Sequence, residues 1–263
     1  MDLEIKGKVA FVGGASSGLG EAVAKQLAEE GVSVFLCARG LEGLERVKRD
    51  INKCSQVDVF LLQADLSIPE DVQRAVQETL QKVDHIDILF NNTGGPPSGK
   101  FEDTSTEQWD SAYQLLLSSV VNLTKGFLPG MKKQKWGRVI FSTSVTVKQP
   151  ADNLILSNSL RAAVTGLART LANEVAAEGV TVNCVLPGYT MTPRIDYLAK
   201  RKAELEGITY EQAIEQWTSS IPMRRIGEPH EFAAMVAFLA SMHAAYITGQ
   251  SVAIDGGSVK SLY

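Results

Sequence analysis

The segment Gly13-Gly14-Ala15-Ser16-Ser17-Gly18-Leu19-Gly20 carries Gly14, Gly18 and Gly20 at spacings of four and two. Such a run lets main chain approach a pyrophosphate that side chains would hold off. A helix opening inside it would add unpaired N–H groups and a partial positive charge. Ser16, Ser17 and Leu19 lie within the same expected ligand loop. An ordinary glycine-rich turn is the competing reading, and it is disfavoured by the apolar run before the segment and the helical periodicity after it. Arg39 follows the apolar run Val32 to Ala38, where an acidic side chain would accept the ribose 2'-hydroxyl of NAD. An arginine fork there suits a 2'-phosphate instead, and Ser16 offers a further hydroxyl, although Ser17 supplies no second cation. NADP(H) is therefore expected over NAD(H), with a solvated surface arginine as the alternative.

These residues need a scaffold, and the chain supplies a βαβ rhythm. Strand-like runs occur at Val9 to Gly13, Val32 to Ala38, Val57 to Ala64, Ile86 to Asn91, Arg138 to Thr143, Thr181 to Leu186 and Ser251 to Ile254, with helical patterning between them. The expected architecture is α/β: a Rossmann-type, doubly wound parallel sheet of about seven strands with helices on both faces. Nothing in the composition marks a boundary, so residues 1–263 are expected to form one domain. A charged, helix-prone stretch from Thr190 to Ser220 interrupts the rhythm after a strand's carboxyl end, where such sheets bind ligands, and is expected to be a lid over the site.

With 44% apolar residues, 21% charged and a net charge of -4, the chain shows no bias towards nucleic acid or anionic membranes, so a small-molecule partner is expected. No apolar run approaches the roughly 20 residues of a membrane span, and the start lacks a secretion signal, which implies a cytoplasmic protein. Cys37, Cys54 and Cys184 have no metal-ligand spacing and read as buried free thiols. His85, His230 and His243 fall in segments expected at surfaces or helix ends, and no catalytic role is expected of them.

The glycine spacing resembles the T-G-x-x-x-G-x-G pattern of the short-chain dehydrogenase/reductase family, with Gly13 in place of the threonine. The resemblance extends over essentially the whole chain. It continues through Ala64-Asp65-Leu66, whose aspartate in that family contacts adenine, and Asn91-Asn92-Thr93-Gly94, which is similar to the family's N-N-A-G. Later matches are Pro187-Gly188-Tyr189-Thr190-Met191-Thr192, Ile221-Pro222-Met223 with Arg225, Thr248-Gly249 and Asp255-Gly256-Gly257. The resemblance implies cofactor contacts from Asp65, Leu66, Asn91, Pro187, Gly188 and Thr192, Thr192 meeting the carboxamide. It also implies a homotetramer or homodimer built on the helix Gln108 to Phe127 and the one bearing Leu160, Val164, Leu167, Leu171 and Val175.

In that family a serine follows the fifth strand, a tyrosine comes thirteen residues later and a lysine one helical turn beyond. Ser144 fits the first role; the second falls on Ser157 and the third on Arg161, while the family's asparagine falls on Leu116. An aliphatic hydroxyl is a far weaker acid than a phenol, and guanidinium holds its proton. Ser144 is expected to polarise the substrate oxygen and Arg161 to hold ribose or substrate, while Ser157 leaves the proton source unassigned. Tyr189 and Tyr113 are the nearest phenols by sequence, each with packing as its alternative. A substrate bearing an acidic group that pairs with Lys148 or Arg161 is a further possibility. Two functions follow: an atypical oxidoreductase moving hydride between NADP(H) and a carbonyl or alcohol, or a catalytically silent NADP-binding sensor or regulatory protein.

Overall fold

The apolar runs become seven strands, β1 (Val9–Gly13), β2 (Ser33–Ala38), β3 (Val59–Gln63), β4 (Ile88–Asn91), β5 (Gly137–Ser142), β6 (Val180–Pro187) and β7 (Ser251–Ile254), in a computed structural model that describes residues 1–262. Their Val, Ile and Phe residues suit extended chain, and strands covered on both faces read as continuous apolar runs. The strands pair in the order β3-β2-β1-β4-β5-β6-β7, all parallel. Phe11 lies level with Phe35 on one side and Leu89 on the other.

Nine α-helices join or flank the strands among the described residues: α1 (Gly18–Glu29), α2 (Leu41–Cys54), α3 (Pro69–Lys82), α4 (Thr106–Tyr113), α5 (Ser119–Gln134), α6 (Ile155–Val175), α7 (Pro193–Glu206), α8 (Tyr210–Ser220) and α9 (Pro229–Ala240). The pleat divides the core in two. Ala10, Val12, Val34 and Leu36 point to a cluster shared with α1, α2 and α9, whereas Phe11, Phe35, Leu89 and Phe141 join residues of α3, α5 and α6. Helices therefore cover both faces of the sheet. The chain winds outward from β1 to β3 and then returns to β4, so a crevice opens at the carboxyl ends of β1 and β4.

The stretch expected as one helix from Gln108 to Phe127 has a more particular form. Ser105 and Gln108 make a reciprocal capping box that starts α4. Between α4 and α5 the chain passes through a single π turn, Gln114–Ser118, which absorbs one more residue than α geometry needs. On α6, Val164 and Val175 are buried as the stripe requires, and Leu167 and Leu171 pack partly buried against the same cluster. Among the described residues no helix is long and apolar enough to cross a membrane.

The cysteines differ from expectation at one position. Cys37 and Cys184 are buried in strands and burial pushes both thiols up to about 12, but Cys54 ends α2 and is exposed. Cys54 is in phase with the buried Leu44, Val47 and Ile51, but it is the last residue of the helix, where the periodicity no longer guarantees cover. A thiol-labelling titration with an aromatic disulfide should accordingly modify Cys54 alone in the native protein and all three thiols after unfolding. Rapid native labelling of Cys37 or Cys184 would contradict the burial of β2 and β6.

Candidate functional site

The loop between β1 and α1 is a turn that only small residues permit. Gly14 and Gly18 take φ of +61° and +59°. A Cβ on Gly13 would stand 2.6 Å from Asn92 O, and one on Gly14 would stand 2.7 Å from Asn92 Nδ2. Asn92 closes this contact by donating from Nδ2 to Gly13 O at 3.2 Å. Ser17, the N-cap of α1, is extended and makes no side-chain capping bond, so the first-turn N–H groups receive no acceptor from their cap.

A cavity of about 850 Å³ opens on this loop. Gly14, Ser16, Ser17, Gly18 and Leu19 line one end together with Arg39, Asp65 and Leu66. Pro187, Gly188 and Thr192 line it further along, and Ser144, Ser157 and Arg161 line the same cavity. Two expected residues stand outside the lining. Gly20 faces inward, where a Cβ would collide with Gly14 O, so its smallness serves the packing of helix against turn. Asn91 is buried at the end of β4, donating from Nδ2 to Thr124 Oγ1 at 3.4 Å, and its Oδ1 has no partner among the described residues.

At the adenosine-facing end implied by the family pattern, Arg39 is 79% exposed along its side chain and its Nη1 stands 3.9 Å from Asp65 Oδ2. That contact is loose and solvated, leaving the fork available. Burial would raise the Asp65 carboxyl, but hydrogen bonds from the Ser67 hydroxyl and N–H, with the Arg39 charge, hold it below the ordinary carboxylate range.

At the other end, Ser144 caps a short 3-10 turn by accepting from Thr146 N at 3.1 Å. Its own hydroxyl proton has no acceptor among the described residues and can be offered to an oxygen in the cavity. Ser157 and Arg161 share a face of α6. Arg161 Nε donates to Ser157 Oγ at 3.2 Å, and Nη1 donates to Ser142 O at 3.0 Å and Thr143 O at 3.1 Å. Burial, and then the positive charge of Arg194, pull the Arg161 guanidinium down to about 10. A depressed cation weakens the fold while it is charged, and that penalty relaxes only as pH rises past the lowered value, so Arg161 is charged at neutral pH.

Among the described residues the lining contains no Tyr, Lys, His or Cys. Tyr113 is exposed on α4, and Tyr189 stacks on Trp217 with ring centroids 4.9 Å apart; neither reaches the cavity wall. Lys148 is also absent from the wall. Leu116 is buried in the π turn, and its neighbour Leu115 lines the cavity instead. Sequence reasoning did not single out Asn92 as a contact to the loop, nor Arg194, Ile195 and Leu198, which line the cavity from α7. Thr192, the N-cap of α7, stands 3.4 Å from where a Gly18 Cβ would be, so the amino end of α7 sits directly on the glycine loop.

Comparisons with known proteins agree with this geometry. The family model described as enoyl-(acyl carrier protein) reductase matches residues 14–259. The chain is 32% identical to the NADPH-dependent reductase BacG of Bacillus subtilis (strain 168), over 97% of this chain and 99% of that one. It is 34% identical to the oxidoreductase UcpA of Escherichia coli (strain K12), over 97% and 95%. Among solved structures, L-sorbose reductase from Gluconobacter frateurii, complexed with NADPH and L-sorbose, superposes with a TM-score of 0.95 at 32% identity, covering 100% of each chain. Matches this long, on a parallel seven-stranded sheet whose first turn has the glycine geometry described above, mean that the chain belongs to the short-chain dehydrogenase/reductase family.

Proposed function

We propose that this protein is an atypical NADP(H)-dependent oxidoreductase that moves hydride between the nicotinamide and a carbonyl or alcohol, without a side-chain phenol as its proton donor. The observation that carries the reading is the convergence of a glycine cradle, an uncommitted Arg39 and a donor-ready Ser144 on one cavity. The residues fit the cofactor: positive φ at Gly14 and Gly18 and the uncapped start of α1 make a cradle for a pyrophosphate, and the shape of the turn depends on Gly14, whose Cβ would collide with Asn92. NADPH, when bound, supplies the hydride. Arg39 selects the 2'-phosphate, Asp65 and Leu66 border the adenosine, and Pro187, Gly188 and Thr192 border the nicotinamide side. The NADPH named for BacG and for the sorbose reductase complex supports this cofactor choice.

In this reading Ser144 donates a hydrogen bond to the substrate oxygen, and Arg161 is a fixed positive charge beside it. Ser157, whose oxygen already accepts from Arg161, is too weak an acid to replace a phenol, so solvent supplies the proton. The segment from Thr190 to Ser220, folded as α7 and α8, acts as a lid, with Arg194, Ile195 and Leu198 on its inner surface. A second reading is favoured by a wall that has no Tyr or Lys among the described residues: a silent NADP-binding protein whose lid signals occupancy to a partner.

Calorimetric titration with NADPH and NADH tests the cofactor half of the proposal. Arg39→Ala should weaken NADPH about 10- to 100-fold, the worth of a charge-assisted hydrogen bond of roughly 1.5–3 kcal/mol, and leave NADH unchanged. Equal loss for both cofactors would remove Arg39 from selection. Reduced-cofactor consumption against a panel of carbonyls tests the other half. Tight NADPH binding with no turnover on any carbonyl would favour the silent protein, and no binding would overturn both.

A further inference from the structure

Two guanidiniums face the same cavity as Ser144, and neither has a carboxylate partner within ion-pair distance among the described residues. Arg161 uses Nε and Nη1 on Ser157 and on the carbonyls of Ser142 and Thr143 at the end of β5, and its Nη2 has no acceptor among the described residues. Arg194, on the first turn of α7, makes one hydrogen bond, from Nη2 to Pro96 O at 3.3 Å, and lies over Gly95, whose absent Cβ would stand 3.7 Å from Nη2. The one acidic residue of the wall is Asp65, placed beside Arg39. Among the described residues, the half of the cavity that holds Ser144 therefore carries two positive charges and no negative one. Like charges in mutual reach raise each other's cost, as the effect of Arg194 on Arg161 records, and an anion between them removes that cost.

We propose that Arg161 and Arg194 form a carboxylate subsite beside Ser144, so that the substrate is an oxo acid or hydroxy acid held by its carboxylate while its carbonyl or alcohol meets Ser144. The inference rests on the oxidoreductase reading above and names its substrate class. It also gives the site a function for its replaced cation. Guanidinium is planar and forked, suits a carboxylate better than an ammonium does, and stays charged while the substrate oxygen gains negative charge. Arg194 belongs to the proposed lid, so an anionic substrate would tie that segment to α6 across the cavity. A phosphate group is the other anion with this chemistry, and the pyrophosphate of the cofactor is the nearest source of one, because Thr192 lies against Gly18.

Calorimetry with pyruvate, acetoacetate and levulinate, each against its methyl ester, separates these cases in the presence and absence of saturating NADPH. At least one acid should bind the protein about 10- to 100-fold more tightly than its ester, and Arg194→Gln should abolish the difference while NADPH affinity changes less than about threefold. Arg194→Lys should restore part of it. Arg194 is exposed, so the glutamine variant should melt with the parent, and the lysine variant carries the comparison if it does not. Acids and esters that bind equally in the parent overturn the subsite. So does an Arg194→Gln variant that loses NADPH about tenfold while keeping its acid preference, which assigns the arginine to the cofactor phosphates. Failure of NADPH to bind overturns the oxidoreductase reading, whereas acid binding that depends on Arg194 without cofactor still sustains the subsite.

Discussion

Gly20→Ala should lower the melting temperature by roughly 6–12 °C, corresponding to about 3 kcal/mol of overpacking in a chain of this size. The added Cβ would meet Gly14 O and C together with Gly13 O, all backbone, so no side chain can rotate away. Relief requires α1 to move off the β1 turn, and that movement would also spoil the cradle. NADPH affinity should therefore fall with stability even though Gly20 does not line the cavity. Gly166→Ala is the opposite case. Gly166 lies inside α6, exposed, with nothing within 4 Å of its Cβ direction, and alanine there should raise the melting temperature by about 2–4 °C through roughly 1 kcal/mol of helix preference. Scanning calorimetry of both variants decides the matter. An unshifted Gly20→Ala protein would mean the turn and helix are not packed as described.

The second large effect is expected from Ser157→Tyr combined with Arg161→Lys. The phenol would extend from a position that already lines the cavity, and the ammonium would stand one helical turn away near Ser142 O and Thr143 O. A positioned general acid contributes about 10²- to 10⁴-fold, so reduction of neutral ketones with NADPH should rise by a factor in that range. Turnover of oxo acids should fall relative to it, because the lysine cannot offer a carboxylate the same fork. Steady-state kinetics on paired acids and ketones gives both numbers. No gain on any ketone, in a variant that still binds NADPH and melts normally, would mean that hydride and carbonyl are not brought together here, and the silent-protein reading would stand.

Much of the scaffold is legible in the sequence because buried parallel strands must be almost wholly apolar. Val9 to Gly13 and Ser251 to Ile254 coincide with their strands. Val57 to Ala64 and Ile86 to Asn91 each overrun at the start by two residues, since Ile86 is buried before the ladder begins and burial, not pairing, sets the apolar pattern. The glycine loop is legible for the same kind of reason: positive φ leaves a mark in residue type. Spacing alone does not separate a glycine that lines the cavity, such as Gly14, from one that packs on its own backbone, such as Gly20. Arg194 was hidden because it stands in a run of charges, with Lys200, Arg201 and Lys202 on the same helix, where a cavity-facing cation and a solvated one look alike. The exposure of Cys54 and the interruption between α4 and α5 carry no compositional signal, since the apolar period of α2 includes Cys54 and neither periodicity nor helix propensity records where packing stops or an extra residue is absorbed.

The π turn at Gln114–Ser118 gives the cavity wall a phase. Each residue advances a helix by about 100°, so deleting one residue from this turn would leave α4 and α5 both formed and swing Ser111 and Ala112 off the wall while Leu123 and Phe127 stayed anchored in the core. A change of length by one could thus re-face the pocket at a stroke without altering a strand, with α6, which packs on α4 and on the π turn, adjusting to the new face. Diversification of what the cavity admits need not proceed through substitution of its lining at all.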